Sequence, residues 1–255
     1  LLSMGIYLYT TRVVLSILGV EDYGIYNVVG GLVAMFSFLN ATMSGATSRF
    51  ITFELGKNSS KVQTVFSVAL TIHIIIALIV FLIGETFGLW FLENKLTIPA
   101  TKMYEAKWLL QFSIVTMIFS FTQVPYNASI IAHEKMNIYA YFELVNVGLK
   151  LLSVYLLLII DANKLIFYGA IVMLTQIGVT LLYRLYCTRK WEHCKFNLSL
   201  DREFLRPLLS YSGWDLFGNA SLVARTQGVN VLLNIFFGAI LNAAAGIAMQ
   251  VQTAA

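Results

Sequence analysis

The chain has 255 residues and a formal net charge of +4, with 58% hydrophobic and only 12% charged residues. Soluble domains average roughly 45–50% apolar and about 25% charged residues, so this chain has too few charges to cover itself with a soluble surface. Repeated apolar segments of about 20 residues match the ~30 Å hydrocarbon core of a bilayer, which indicates an all-α, polytopic membrane protein.

Hydropathy predicts seven complete spans and part of an eighth. They run roughly over 1–19, 23–46, 62–84, 107–132, 137–160, 164–187, 207–237 and 239–255. Apolar runs reach both ends of the sequence without a flanking loop. We therefore expect the chain to be the N-terminal part of a longer protein.

The connections between the spans differ in positive charge. Those after the second, fourth and sixth spans hold ten basic residues: Arg49, Lys57, Lys61, Lys135, Arg184, Arg189, Lys190, Lys195, Arg202 and Arg206. Those after the first, third and fifth spans hold four: Lys95, Lys102, Lys107 and Lys164. Because cytoplasmic loops are enriched in Lys and Arg, the first set and the N-terminus are predicted to be cytoplasmic. The net charge is explained by this asymmetry, and it gives no case for a nucleic-acid partner.

The fourth predicted span contains VPYNASIIAHEKM at residues 124–136. Pro125 lacks a backbone N–H and bends a helix. Tyr126 and Asn127 can satisfy the freed backbone groups where the helix faces protein or water. We predict a hinge at Pro125 that serves alternating access, and a static kink is the alternative.

Six ionisable residues fall inside predicted spans, where charge is costly and each such residue is a functional candidate. Three are basic and are candidate substrate-binding residues of a hydrated cavity: Arg12, Lys150 and Arg225. A basic cavity attracts an anionic, phosphate-bearing cargo. The other three are candidates for ion coupling: His73, Glu143 and Asp215.

Most of these residues also have a structural explanation. Arg12 can snorkel toward the outer interface. Glu143 and Lys150 are seven residues apart on one helix face and can balance each other. His73 can bond a backbone carbonyl group, and Asp215 can lie at the inner interface. Arg225, near the middle of a long span, is the hardest to explain in this way.

The two cysteines give no sign of a metal site. Cys187 and Cys194 lie beside basic residues, and with His193 they supply too few ligands for a metal. We interpret them as reduced cytosolic thiols. An enzyme needs a positioned acid, base or metal set, and the sequence does not assemble one. We therefore expect no cofactor and no enzymatic activity; a membrane glycosyltransferase or polymerase is the remote alternative.

An internal repeat is predicted from two similar segments, RVVLSILGVEDYGIYNVVG (12–30) and VLLNIFFGAILNAAAGIAM (231–249). Each has an apolar run, a glycine and then a span rich in small residues. Aligning Gly19 with Gly238 gives an offset of 219 residues, which corresponds to six spans. Six-span lobes related by a pseudo-two-fold axis are a common transporter plan.

Several motifs together resemble the bacterial O-antigen and capsular polysaccharide flippase family of the multidrug/oligosaccharidyl-lipid/polysaccharide exporter superfamily. They are LGVEDYGIYNVVGG (18–31), SRFITFELGK (48–57), VPYNASIIAHEKM (124–136), SGWDLFGNA (212–220) and QGVNVLLNIFFG (227–238). The resemblance implies a MATE-like fold of two six-helix lobes facing each other in a V. It implies a first transmembrane lobe over 1–187, a cytoplasmic inter-lobe linker over 188–206 and the start of the second lobe over 207–255.

The resemblance also implies an activity and a location. The expected activity is the translocation of an undecaprenyl-pyrophosphate-linked oligosaccharide across the bacterial inner membrane, by alternating access coupled to an ion gradient. Such a flippase serves lipopolysaccharide or capsule synthesis, with a polysaccharide polymerase and glycosyltransferases as expected partners. The second reading is a multidrug or cation antiporter of the same superfamily, which would depend on carboxylates such as Glu143 or Asp215.

Overall fold

The computed structural model describes residues 2–57, 60–159 and 163–254, and side chains in these ranges except those of 2–4, 7–8, 214–215 and 250–254. Within these ranges every regular element is helical, which confirms the all-α prediction. The α-helices are α1 (Leu2–Ala34), α2 (Ser37–Gly56), α3 (Val62–Ile83), α4 (Leu89–Asn94), α5 (Met103–Ala132), α6 (Met136–Ile159), α7 (Lys164–Lys190), α8 (Arg202–Phe237) and α9 (Ala239–Ala254). A π-helical segment, Gly84–Gly88, joins α3 to α4, and short 3-10 turns lie at Ala100–Lys102 and Glu192–Cys194.

Five helical segments of the described chain are long and apolar enough to cross a membrane. They are Tyr9–Ala34, Val62–Asn94, Ala100–Ala132, Met136–Ile159 and Lys164–Lys190. The chain therefore has the helices of a multi-pass membrane protein. Helices α2 and α8 form in the region of the predicted second and seventh spans, but both are more polar and are not among the five. The number of seven complete spans thus remains a prediction.

Helix α1 is interrupted at Gly19, whose φ of 80° and ψ of 170° lie in a region that is essentially restricted to glycine. Thr10 before the break and Tyr26 after it line the same cavity. A straight helix would separate these two residues by about 24 Å. The two parts of α1 are therefore not collinear, and the break lies within the apolar segment Tyr9–Ala34, at the end of the predicted first span.

The same backbone conformation occurs at Gly238, between α8 and α9, with φ 79° and ψ −173°. Asn27 and Gly246 are also separated by the offset of 219 residues, and they touch: a Cβ atom on Gly246 would lie 2.8 Å from Asn27 Cγ. Equivalent residues of two units related by a pseudo-two-fold axis contact each other where they lie close to that axis. The offset predicted from the sequence thus also relates two residues that are in contact, and the repeat itself stays a prediction.

Helix α5 runs without interruption from Met103 to Ala132 and includes the buried Pro125. The Ser129 hydroxyl donates a hydrogen bond to the Pro125 carbonyl oxygen over 3.0 Å, one turn later. The helix ends at Ala132, as predicted, and Glu134 follows with a positive φ of 56°. The structure locates Pro125 inside a long helix, and its role as a hinge remains a prediction.

Candidate functional site

Three cavities whose linings include polar side chains meet in the described part of the helical bundle. The Asn27 cavity, of about 440 Å³, lies between α1, α5, α7, α8 and α9. The Glu143 cavity, of about 340 Å³, lies between α2, α5, α6 and α7. The Lys150 cavity, of about 270 Å³, lies between α1, α5, α6 and α7. The half-buried Gln176, near the middle of α7, lines all three, so they adjoin one another.

A network of side chains from α5 and α7 orients Gln176. Its Nε2 donates to Gln123 Oε1 over 2.9 Å and to Thr180 Oγ1 over 3.3 Å. The Thr180 hydroxyl also donates to Gln123 Oε1, over 3.1 Å. Because these bonds fix the amide, the junction of the cavities has a defined polar surface.

Buried polar atoms without a partner in the described structure lie along the cavity walls. Asn27 Nδ2 and Asn230 Oδ1 belong to residues of the Asn27 cavity, and Asn40 Oδ1 and Asn127 Oδ1 to residues of the Glu143 cavity. In Asn40 and Asn230 the amide nitrogen does have a partner: Asn40 Nδ2 donates to Ser120 Oγ over 2.9 Å, and Asn230 Nδ2 donates to Gln227 Oε1 over 3.2 Å. Buried polar groups in proteins are nearly always satisfied. These walls are therefore suited to a hydrated or hydroxyl-rich occupant.

Two of the residues predicted from sequence line the cavities. The half-buried Lys150 lines the Lys150 cavity, and the half-buried Glu143 lines the Glu143 cavity. Asn146, between them on α6, lines both cavities. Residues 143, 146 and 150 share one helix face, as their spacing predicts.

The other predicted residues lie elsewhere. Arg12 and Arg225 are exposed, and neither lines any of the three cavities, so the structure does not bring the three basic candidates together. His73 is buried, and its Nδ1 bonds the Ala69 carbonyl oxygen at 2.7 Å, which is the structural explanation considered above. The side chain of Asp215 lies outside the described residues.

The sequence reasoning missed the residues at the junction. Gln176, Gln123 and Asn146 are neutral, so they carry no charge to draw attention within an apolar run. A signal was nevertheless present: an amide within an apolar run needs hydrogen-bond partners inside the protein, so it marks a helix face that contacts protein or water. No protein-family model, curated protein or solved structure matches the chain.

Proposed function

We propose that the protein translocates a lipid-linked oligosaccharide, carried on undecaprenyl pyrophosphate, across the bacterial inner membrane by alternating access. The observation that carries this proposal is the set of three cavities that adjoin at Gln176, each with amide side chains in its lining, inside a bundle of apolar helices. A sugar presents many hydroxyl groups, each a donor and an acceptor. Amide side chains offer both functions, so they suit such a cargo without a fixed charge.

The Lys150 cavity adds the features needed for the anionic part of the cargo. The Lys150 ammonium group shares this cavity with Tyr23, Tyr26 and Tyr168 and with the hydroxyl groups of Thr10 and Thr11. Lysine binds phosphate as a point charge, and a partly buried charge is less screened by salt than an exposed one. Tyr23 and Tyr168 are buried in the packed cluster beside this cavity, so the half-buried Tyr26 is the ring available to pack against the face of a sugar.

The test is leaflet exchange of a fluorescent lipid-linked oligosaccharide in liposomes that contain the full-length protein. We expect Gln176→Leu to lower the exchange rate at least about 10-fold, the effect of losing ~1.4 kcal/mol from the rate-limiting step. The matched control is Gln63→Leu, because Gln63 is exposed at the start of α3, away from the cavities. If a folded Gln176→Leu variant exchanges lipid-linked oligosaccharide at the wild-type rate, the junction at Gln176 is not part of the transport path.

One observation favours the cation antiporter as a second candidate. Glu143 shares its cavity with the unpartnered oxygens of Asn40 and Asn127, and a carboxylate with neutral oxygens is an arrangement that binds cations. The two candidates predict different sensitive residues. Lys150→Gln should impair oligosaccharide exchange in a flippase, whereas Glu143→Gln should abolish efflux of an organic cation in an antiporter. Both assays are run on the same proteoliposomes, and efflux of an organic cation that is lost only in Glu143→Gln would favour the antiporter.

A further inference from the structure

A fourth cavity, of about 330 Å³, lies between α1, α2, α5, α8 and the π-helical segment that joins α3 to α4. Unlike the three cavities at Gln176, it is lined only by Leu, Val, Ile, Met, Phe, Ala and Gly, without a hydroxyl, amide or charged side chain. Ligand pockets have volumes of about 300–1,000 Å³. The cavity is therefore large enough to take part of a ligand, and its lining suits an apolar one.

Two irregularities of the backbone form part of this lining. The π-helical segment Gly84–Gly88 contributes both of its glycines, and the Leu89 N–H donates to the Gly84 carbonyl oxygen, five residues earlier. Met35 and Phe36, the two residues between α1 and α2, also line the cavity. π-Helical segments are rare and are often found at functional sites. Two interruptions of regular helix thus border one cavity, which favours a built site over a packing defect.

The cavity opens beside the apolar surface of a membrane-crossing segment. Leu32 in its wall is buried, whereas Phe87 and Ala224 are exposed, so the opening lies between the π-helical segment and α8. Phe87 belongs to the segment Val62–Asn94, and Leu82, five residues earlier in this segment, is also exposed. In a multi-pass membrane protein such exposed apolar residues contact lipid. The opening is therefore continuous with a surface that lipid chains cover.

The cavity is distant from the ends of two of the helical segments that line it. Val223 lies 14 residues before Phe237, where α8 ends, and Gly84 lies ten residues before Asn94, where α4 ends. At 1.5 Å per residue these separations are about 21 and 15 Å, which is half or more of the ~30 Å hydrocarbon core of a bilayer. Lipid head groups stay at the interface, so only the hydrocarbon chain of a lipid extends to this depth.

We propose that this cavity binds the acyl chain of a membrane phospholipid, which enters between the π-helical segment and α8. Water is a poor occupant, because a buried water molecule needs two to four polar partners and the lining side chains offer none. A chain also supplies the dispersion contacts that the walls of an unfilled cavity lack. Because the lining has no group that selects a particular head group, the occupant is the most abundant hydrocarbon of the bilayer. The proposal requires the membrane location of the helices and is independent of the cargo.

The test reconstitutes the full-length protein in liposomes of phosphatidylethanolamine and phosphatidylglycerol. A small part of the phosphatidylethanolamine carries a diazirine at the middle of one acyl chain, and mass spectrometry locates the labelled residues after irradiation. We expect label on the buried Leu32, which a chain reaches only through the cavity, and on Leu78, which is exposed on α3. The same lipid with a diazirine in its head group should not label Leu32. Acyl-chain label on Leu78 without label on Leu32 would overturn the proposal.

The matched variants are Val223→Phe and Val229→Phe, both on α8. Val223 lines the cavity, whereas Val229 is exposed and lines none of these four cavities. Val223→Phe should lower the label on Leu32 relative to Leu78 at least about 10-fold, the effect of losing ~1.4 kcal/mol of binding, and Val229→Phe should leave this ratio unchanged. If Val223→Phe does not fold, Ala224→Phe at the exposed opening provides the same test. An unchanged ratio in a folded cavity variant would contradict the proposed site.

A second arm of the experiment separates the phospholipid from an isoprenoid lipid. Unlabelled undecaprenyl phosphate is added to the wild-type liposomes as a minor fraction of the total lipid. We expect the label on Leu32 to fall only as far as dilution of the probe requires, because both hydrocarbon chains then compete by abundance. Loss of most of this label at such a low fraction would assign the cavity to the isoprenoid chain and exclude the phospholipid.

Discussion

Gly24 on α1 allows this helix to touch the backbone of α9. A Cβ atom on Gly24 would overlap the carbonyl oxygen of Ala239 and lie 2.7 Å from its carbonyl carbon. Because both partners are backbone, no rotamer change relieves the overlap, and the helices must separate. We expect Gly24→Ala to lower the free energy of unfolding by about 3 kcal/mol, at the upper end of overpacking costs. Denaturant unfolding of the detergent-solubilised protein measures this change.

The control for Gly24 is Gly148→Ala on α6, where an added Cβ atom meets nothing within 4 Å. Alanine is favoured over glycine in a helix by up to ~1 kcal/mol, so this variant should be as stable as the wild type or slightly more stable. Equal stability of the two variants would show that α1 and α9 do not approach as closely as the structure has them.

His133 makes stability depend on pH. Burial lowers the pKa of His133 from its usual 6.5, and the hydrogen bond of its Nδ1 to the Ser129 carbonyl oxygen opposes this only in part. Below pH 6.5 the unfolded chain therefore binds more protons at this site than the folded chain does. The contribution of neutral His133 to the free energy of unfolding is therefore present in full above pH 6.5 and is lost as the pH falls. The melting temperature of the wild type should decrease between pH 7 and pH 5.5, and we expect a smaller decrease in His133→Gln. If the melting temperatures of the two proteins fall in parallel with pH, His133 does not contribute to the pH dependence of stability.

At the scale of elements, the two helix breaks at Gly19 and Gly238 are expected to respond alike to substitution. Both have φ near +80° with an extended ψ, a combination that costs other residues about 1–3 kcal/mol. Gly19→Ala and Gly238→Ala should each lower the free energy of unfolding by that amount. Neither loss arises from crowding, because an added Cβ atom meets nothing within 4 Å at either position.

The comparison variant for these two glycines is Gly45→Ala, in the middle of α2 and equally uncrowded, which should not destabilise the protein. Losses at Gly19 and Gly238 that match, against no loss at Gly45, would support a duplicated helix–glycine–helix unit. A loss at only one of the two glycines would argue against equivalent breaks.

Helix α5 carries the prediction about Pro125. Proline leaves the carbonyl group four residues earlier without its helical hydrogen bond, and Pro125→Ala restores the missing N–H. We expect this variant to have a higher melting temperature and a slower exchange of lipid-linked oligosaccharide, because a fully bonded α5 resists bending. If Pro125→Ala is more stable but exchanges lipid-linked oligosaccharide as fast as the wild type or faster, Pro125 is a static kink and not a hinge.

For the molecule as a whole, the helices that hydropathy predicted well are those bounded by charged or turn-forming residues. The predicted spans 62–84 and 164–187 correspond to α3 and to most of α7, which continues to Lys190. The break between Ala34 and Ser37 was missed, because it interrupts an apolar run without proline. Helix α8 begins at Arg202 rather than at 207, since the Asp201 carboxylate accepts a hydrogen bond from the Glu203 N–H over 2.9 Å and caps it.

The residues that line the cavities could be predicted only in part, because charged residues stand out in an apolar sequence and neutral amides do not. Lys150 and Glu143 were found through the cost of charge in a membrane. Gln176 became recognisable only when the surrounding helices placed it beside three separate cavities, and this depends on tertiary packing rather than on local pattern. Arg225 shows the converse: a charge near the centre of a predicted span lies exposed, on a helix that is too polar to be counted among the five apolar ones.

The orientation predicted from the charge asymmetry can be tested with two matched exposed lysines. Lys95 follows α4, and Lys195 follows the 3-10 turn after α7, on the opposite side of the membrane in the predicted topology. In a cysteine-free version of the full-length protein, a membrane-impermeant maleimide should label Lys95→Cys in intact spheroplasts. It should label Lys195→Cys only after permeabilisation, because the more basic loops stay in the cytoplasm. The reverse pattern would place the N-terminus outside, and labelling of both in intact spheroplasts would mean that the segments between them cross the membrane an even number of times.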